Sequence, residues 1–179
     1  MLFQTYLTSI DCVHFEVDEF RTDQGSKWYS HKFNGSGLSY EAVVIWRKIV
    51  LSSYHDITIF RGGTRKEKKI WQNDSLFFQV PSGRRLIGDS GYVGEAKKVS
   101  TTLGDHSKEV KEYFARAKSR QETINARYKN LRMLGTSFRH KGEKRSGSKG
   151  KMDLHELVFD AITVFLQYDL ENGNALFDL

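Results

Sequence analysis

Two aspartates and a glutamate stand where they could do chemistry. Asp11 lies inside an apolar, β-like run, LTSIDCVHF, and Asp89 closes a second one in LIGDSGYVGE. A carboxylate at a strand edge beside a like partner is costly, because two negative charges a few ångströms apart resist joint ionisation. A divalent cation, Mg²⁺ or Mn²⁺, removes that cost and prefers oxygen ligands. Phosphoryl transfer on DNA commonly uses two such ions, one for the attacking oxygen and one for the leaving oxygen. That chemistry needs a third carboxylate, and Glu122, in AKSRQETINARYKN, is the candidate. One residue past Gln121, it stands about 100° round a helix from the apolar stripe. That is the edge of the buried face, from which it could point over the strand ends. By spacing alone, Glu122 reads first as a solvated helix glutamate among Lys118, Arg120 and Arg127.

The same stretch offers two other answers. GDSG resembles the surroundings of a serine protease nucleophile, which would make Ser90 reactive. A nucleophilic serine needs a base within hydrogen-bond reach and a third group to orient that base. Histidines occur at positions 14, 31, 55, 106, 140 and 155, none in a context that marks a catalytic base. Nor is GDSGY a nucleophile elbow, since glycine follows Ser90 directly. The remaining answer is a polar turn with no chemistry.

The elements that must position these residues divide the chain in two. The front half reads as strands: Tyr6–Val17, Leu38–Trp46 and Lys48–Tyr54, with the last two joined through Trp46-Arg47-Lys48. That junction lacks the Asn-Gly or Asp-Gly of a tight hairpin. HDITIF opens a short element that Asp56 is placed to cap. RGGTRKEKK is a basic loop, and SLFFQV and RRLIG are apolar. The back half is helical. Val110, Phe114, Ala117, Ile124, Tyr128 and Leu131 recur at helical spacing from Ser107 to Leu134, with Ser107 as cap and Gln121 breaking the stripe. Residues 139–151, RHKGEKRSGSKGK, read as a flexible basic linker. A last helix is expected from about Met152 to Leu170, ended by Asn172-Gly173. Strands first and helices after imply a sheet covered by helices, in a single domain spanning 1–179.

Composition narrows the class. The chain has 179 residues and 28 Lys plus Arg against 22 acids, a net charge of +6. A basic surface favours nucleic acid or an acidic membrane. No run approaches the ~18 apolar residues of a membrane span, so no membrane partner is expected. With Cys12 as the single cysteine, no disulfide framework can form within the chain and a reducing compartment is expected. The opening MLFQTYLTSID lacks the basic region of a signal peptide.

KWYSHKFNGSGLSYE, HDITIFRGG, RLIGDSGYVGE, RAKSRQETINARYKNLRMLGTSFRH and QYDLENGNALFD together resemble the catalytic domain of Harbinger-type transposases of the DDE superfamily, in the right order over nearly the whole chain. The resemblance implies an RNase H-like α/β fold, a mixed sheet flanked by helices, with three acids at its metal site. Those acids would be Asp11, Asp89 and Glu122. The implied cofactor is Mg²⁺ or Mn²⁺, with Asp11 bridging the ions and Asp89 and Glu122 each holding one. The implied reaction is cleavage of phosphodiester bonds at transposon ends, in the nucleus. DNA is the implied partner, and family members also depend on a separate Myb-like protein. Asp56, in the family's His-Asp pair, is first a helix cap and second an accessory metal residue. Arg120, Arg127 and Lys129 share the helix of Glu122 and are the candidates for phosphate contact.

The chain departs from the family in two ways. AVVIWRKIVLSSY is several residues shorter than the usual strand–turn–strand segment, and an upstream helical DNA-binding region is expected to be missing, as in a truncated copy. The alternative function is therefore an inactive or domesticated remnant that only binds DNA or protein.

Overall fold

The computed structural model describes residues 6–18, 29–45, 47–49, 52–54, 57–63, 82–93, 96–139 and 143–176. Its centre is β1 (Tyr6–Glu16). Ser9, Ile10, Cys12, Val13 and Phe15 are all buried, so this strand is covered on both faces, which explains its near-continuous apolar run. β1 pairs antiparallel with β3 (Gly35–Ile45) along its length, Asp11 opposite Ala42. On its other side it runs parallel to β7 (Arg85–Gly88), which in turn runs parallel to β8 (Val99–Thr101). The short β2 (Tyr29–Ser30) and β6 (Ile57–Gly63) both pair antiparallel with β3, completing a mixed six-stranded sheet.

The segment after β3 departs from expectation. In place of one strand over Lys48–Tyr54, β4 (Arg47–Ile49) and β5 (Ser52–Tyr54) pair with each other as a separate two-stranded unit. The element after His55-Asp56 is strand β6 rather than a helix, so the expected helix-cap role of Asp56 has no helix to serve. β-branched Ile57, Thr58 and Ile59 favour a strand once β3 offers a free edge. His55 and Asp56 themselves, and SLFFQV, lie outside the described residues.

Three helices follow. Helix α1 (Lys108–Asn130) starts at Ser107, whose Oγ accepts from the Val110 N–H at 3.4 Å. Its buried residues, Tyr113, Phe114, Ala117, Arg120, Gln121, Ile124, Asn125 and Tyr128, form one face. Leu131 ends the helix and is exposed, and α2 (Arg132–Gly135) buries Leu134. Helix α3 runs Glu143–Glu171, which corrects the expected linker over 139–151: from Glu143 onward that stretch is helical. Lys, Arg and Glu are good helix formers, and propagation from an amphipathic segment adds one hydrogen bond per residue fixed. Helix α3 ends as read, with Gly173 at φ +119°.

The core lies between the sheet and α1 and α3. The Phe159 ring sits 4.1 Å from Tyr40 and 4.9 Å from Tyr128, centroid to centroid, with Phe15 at 5.6 Å. One aromatic cluster thus joins β1, β3, α1 and α3. The fold is mixed α/β, strands mostly N-terminal and helices C-terminal.

Candidate active site

Ser9, Asp11 and Phe15 of β1 face α1. Ser9 Oγ donates to Gln121 Oε1 at 2.7 Å, and Phe15 packs edge-on to Tyr128. Between them stands Asp11, whose Oδ2 accepts from Asn125 Nδ2 at 2.7 Å. Helix α1 therefore meets the strand with Gln121 and Asn125, two polar residues four apart within an apolar face. Gln121 Nε2 also donates to the Ala42 carbonyl on β3 at 3.2 Å, fixing the helix across two strands.

Asp89 reaches the same place from β7. Ser9 pairs with Ile87 in the parallel ladder, and each aspartate lies two residues beyond its member of that pair. Successive side chains alternate faces, and Asp89, in extended backbone one residue past the end of β7, continues that alternation, so it comes to the same cavity as Asp11. Asp89 also makes the turn. Its side chain accepts from Gly91 N at 2.7 Å and caps a single 3₁₀ turn, Ser90–Tyr92. That turn folds the Tyr92 ring under the strand end, where a Cβ on Gly88 would lie 2.9 Å from it and 2.8 Å from Val99 Cγ1. Glycine at 88 is required by that close approach.

Asp11, Asp89 and Glu122 line one cavity of about 90 Å³, with Lys32, Lys118 and Thr102. At about 30 Å³ per water, this holds a few waters or a hydrated ion rather than a nucleotide. Glu122 is exposed on the rim. The Asp11 carboxyl is pushed up to about 6, first by burial and then by the negative charge of Asp89; Lys32 and the Cys12 N–H pull it back, and Glu122 adds a smaller repulsion. The Cys12 N–H donates to Oδ1 at 2.8 Å.

The donor chemistry fits a hard divalent cation: three carboxylates lining one cavity. Their convergence is looser than a bound ion requires, because among the described residues no three His, Cys, Asp or Glu side chains are gathered closely enough to hold one. Lys32 and Lys118 supply positive charge in the same cavity.

The other sequence candidates separate. Arg120 is 2% exposed, which corrects its assignment as a phosphate contact; it lies on the inner face of α1, where a helix position two turns from Tyr113 must point. Arg127 ties α1 to the end of α3, with Nη1 3.2 Å from Asp169 Oδ2 and 2.7 Å from the Asn174 carbonyl. Lys129 is exposed. Ser90 is exposed too, and the described histidines are engaged elsewhere: His14 with Ser30 and Ser39, His31 against Tyr29, His106 with the Thr101 carbonyl, and His155 with Tyr40. No nucleophile–base pair forms around Ser90 among these residues.

Asn125, Lys32 and Lys118 were not singled out by the sequence reading. A signal for Asn125 existed, since Gln121 already broke the stripe and Asn125 follows at i+4. Lys32 had none, because only the β2–β3 turn brings it to the cavity. Compared with protein-family models, curated proteins and solved structures, the chain gives no match. No helix among the described residues is long and apolar enough to cross a membrane.

Proposed function

We propose that the chain is a divalent-metal-dependent DNA endonuclease domain of the DDE type, RNase H-like in fold and related to Harbinger transposases. The observation that carries this reading is that Asp11, on β1, and Asp89, one residue past the end of the parallel strand β7, line one cavity with Glu122 on its rim. A mixed sheet flanked by helices supports the fold assignment. Asp11, Asp89 and Glu122 would hold Mg²⁺ or Mn²⁺. Such an ion supplies Lewis-acid polarisation of the phosphoryl oxygen and activates the attacking water. Asn125 holds the Asp11 carboxylate in one orientation, and the Gly91 N–H does the same for Asp89. Lys32 and Lys118 would neutralise the incoming phosphodiester. The target would be DNA at transposon ends, the compartment the nucleus, and a Myb-like protein a helper in site recognition.

A second reading, a module that binds DNA or protein without cutting, draws on one observation: the three carboxylates do not converge on a point, and two lysines occupy their cavity. Titration calorimetry with Mn²⁺ on the parent and on Asp89→Asn decides between them, followed by nicking of supercoiled DNA. Under the first reading the parent binds Mn²⁺ and nicks, and Asp89→Asn does neither. A folded parent that binds DNA and neither takes up Mn²⁺ nor nicks, with DNA present, sinks the nuclease and leaves the binding module.

A further inference from the structure

The inner face of α3 is accounted for: His155, Phe159, Ile162, Leu166 and Leu170 are buried. Its outer face is apolar as well. Leu157, Val164, Phe165 and Tyr168 are 64–70% exposed, and Ala161 between them is exposed. These positions fall at i, i+4, i+7, i+8 and i+11, one continuous stripe along a helix. At its C-terminal end the stripe opens into a groove of about 650 Å³ against the end of α1, which Phe165, Tyr168 and Leu131 line together. A stripe of this kind marks an interaction surface, unlike apolar residues scattered singly.

Charge says what covers it. All 28 Lys and Arg lie within residues 1–151, whereas residues 152–179 hold six acids and neither Lys nor Arg, in a chain of net charge +6. Three of those acids edge the stripe, because residues three and four apart are neighbours on a helix surface. Asp160 lies three after Leu157 and four before Val164, Asp169 four after Phe165, and Glu171 three after Tyr168. Asp169 is answered by Arg127 at 3.2 Å. Glu171 is exposed and accepts from Gln167 Nε2 at 2.7 Å, an uncharged partner. It also stands in the last turn of α3, which holds no base and where the helix macrodipole disfavours a negative charge. A cation brought from outside relieves that cost.

Duplex DNA and an anionic membrane are repelled by such a face. A second copy is disfavoured too, since a two-fold axis centred on the stripe lays the acidic stretch of one α3 against the acidic stretch of the other. We infer that the outer face of α3 docks a basic amphipathic helix of a partner protein. Its apolar seam covers Leu157 to Tyr168, its Lys or Arg side chains meet Asp160 and Glu171, and one apolar anchor fills the groove beside Leu131. The inference does not involve the acid cavity, and neither depends on the other.

The probe is a labelled helix-forming peptide of about 18 residues, five turns, with leucines at alternating three- and four-residue spacing and lysines along both flanks of that seam. The full chain is titrated into it and fluorescence anisotropy is read. The stripe is smaller than the roughly 800 Å² per partner of a standard interface, so a dissociation constant on the order of 10 μM is expected. A scrambled peptide of the same composition, and the same seam flanked by glutamates, bind at least about tenfold more weakly. Attraction to the chain's overall charge of +6 would favour the glutamate peptide instead. Phe165→Ala weakens the lysine peptide at least about tenfold with helical circular dichroism unchanged. Glu171→Lys, at an exposed position, weakens it about threefold, and Asp160→Lys added to Glu171→Lys turns the preference to the glutamate peptide. A lysine peptide that binds no tighter than its scramble or its glutamate version overturns the inference. So does binding indifferent to Phe165→Ala or to Glu171→Lys. Sedimentation velocity that finds the parent dimeric and Phe165→Ala monomeric also overturns it, and assigns the stripe to a second copy.

Discussion

Asp11 keeps a carboxyl group where ionising it is difficult, and its neighbours explain how the chain tolerates that. Two N–H groups hold its oxygens, Cys12 N and Asn125 Nδ2. The residue beside the third acid does equally definite work: Gln121 is 2% exposed and satisfies both Ser9 and the Ala42 carbonyl. Gln121→Ala is expected to cost about 2–3 kcal/mol, from lost packing and from taking their partner away from the Ala42 carbonyl and the Ser9 hydroxyl. Equilibrium denaturation in urea measures it, and a loss below the cost of one such group would mean that water replaces the amide. At this scale the sequence was informative about charge and silent about partners. Asp11 and Asp89 are conspicuous because each interrupts or ends an apolar run. Lys32 is ordinary in sequence, since its role comes from the charge of Asp11, 21 positions away, and Asn125 is marked only by following Gln121 at i+4, its partner Asp11 lying 114 positions away. Arg120 misled for the same reason: a basic residue on a helix says nothing of which way it faces until the neighbouring stripe is fixed.

The elements follow local pattern wherever pattern is strong. β1, β3 and β7 were legible from β-branched and aromatic runs, and α1 from its 3.6-residue stripe and Ser107. The misses lie where tertiary context decides. Ile57–Gly63 becomes a strand because β3 presents an edge, and α3 extends back to Glu143 because an established helix propagates through residues that would not start one. The joint between β7 and the Asp89 turn is decided more locally, by glycine. Adding a methyl group at Gly88 forces either Tyr92 or Val99 to move, and both are buried with exposures of 0% and 2%. Gly88→Ala is expected to destabilise by about 1–3 kcal/mol. Tyr92 belongs to the turn that Asp89 caps, so the same substitution should weaken Mn²⁺ binding more than a distant substitution of equal stability cost. Calorimetry on two variants matched for stability tests that coupling; equal Mn²⁺ affinity in both would show the turn to be decoupled from the carboxylate.

At the scale of the whole molecule, the sheet order was beyond reading from sequence, because β1 pairs with β3 on one side and on the other with β7, whose Ile87 lies 78 positions from its partner Ser9. That order sets two titratable groups against each other. Asp11, between β1 and α1, has its carboxyl raised from 3.8 to about 6 by burial and by Asp89. His155, on α3 beneath the aromatic cluster, has its imidazole lowered from 6.5 to about 4 by burial. The signs are opposite. Folded Asp11 holds its proton more tightly than unfolded Asp11, so its penalty is full above about pH 6 and is relieved as pH falls toward 4. Folded His155 resists protonation, so its contribution is full above pH 6.5 and is lost as pH falls toward 4. Between pH 7 and pH 5 each is worth roughly 1–2 kcal/mol, and in the parent protein they nearly cancel. Asp11→Asn removes one side of the balance. In chelator-treated buffer the variant is expected to be more stable than the parent at pH 7. It should lose about 1–2 kcal/mol more than the parent does on moving to pH 5. Reading the difference between the two proteins cancels the carboxylates they share. Parallel stability–pH curves would show that Asp11 titrates normally, and the cavity would then lack the crowding of negative charge on which its reading as a cation site depends.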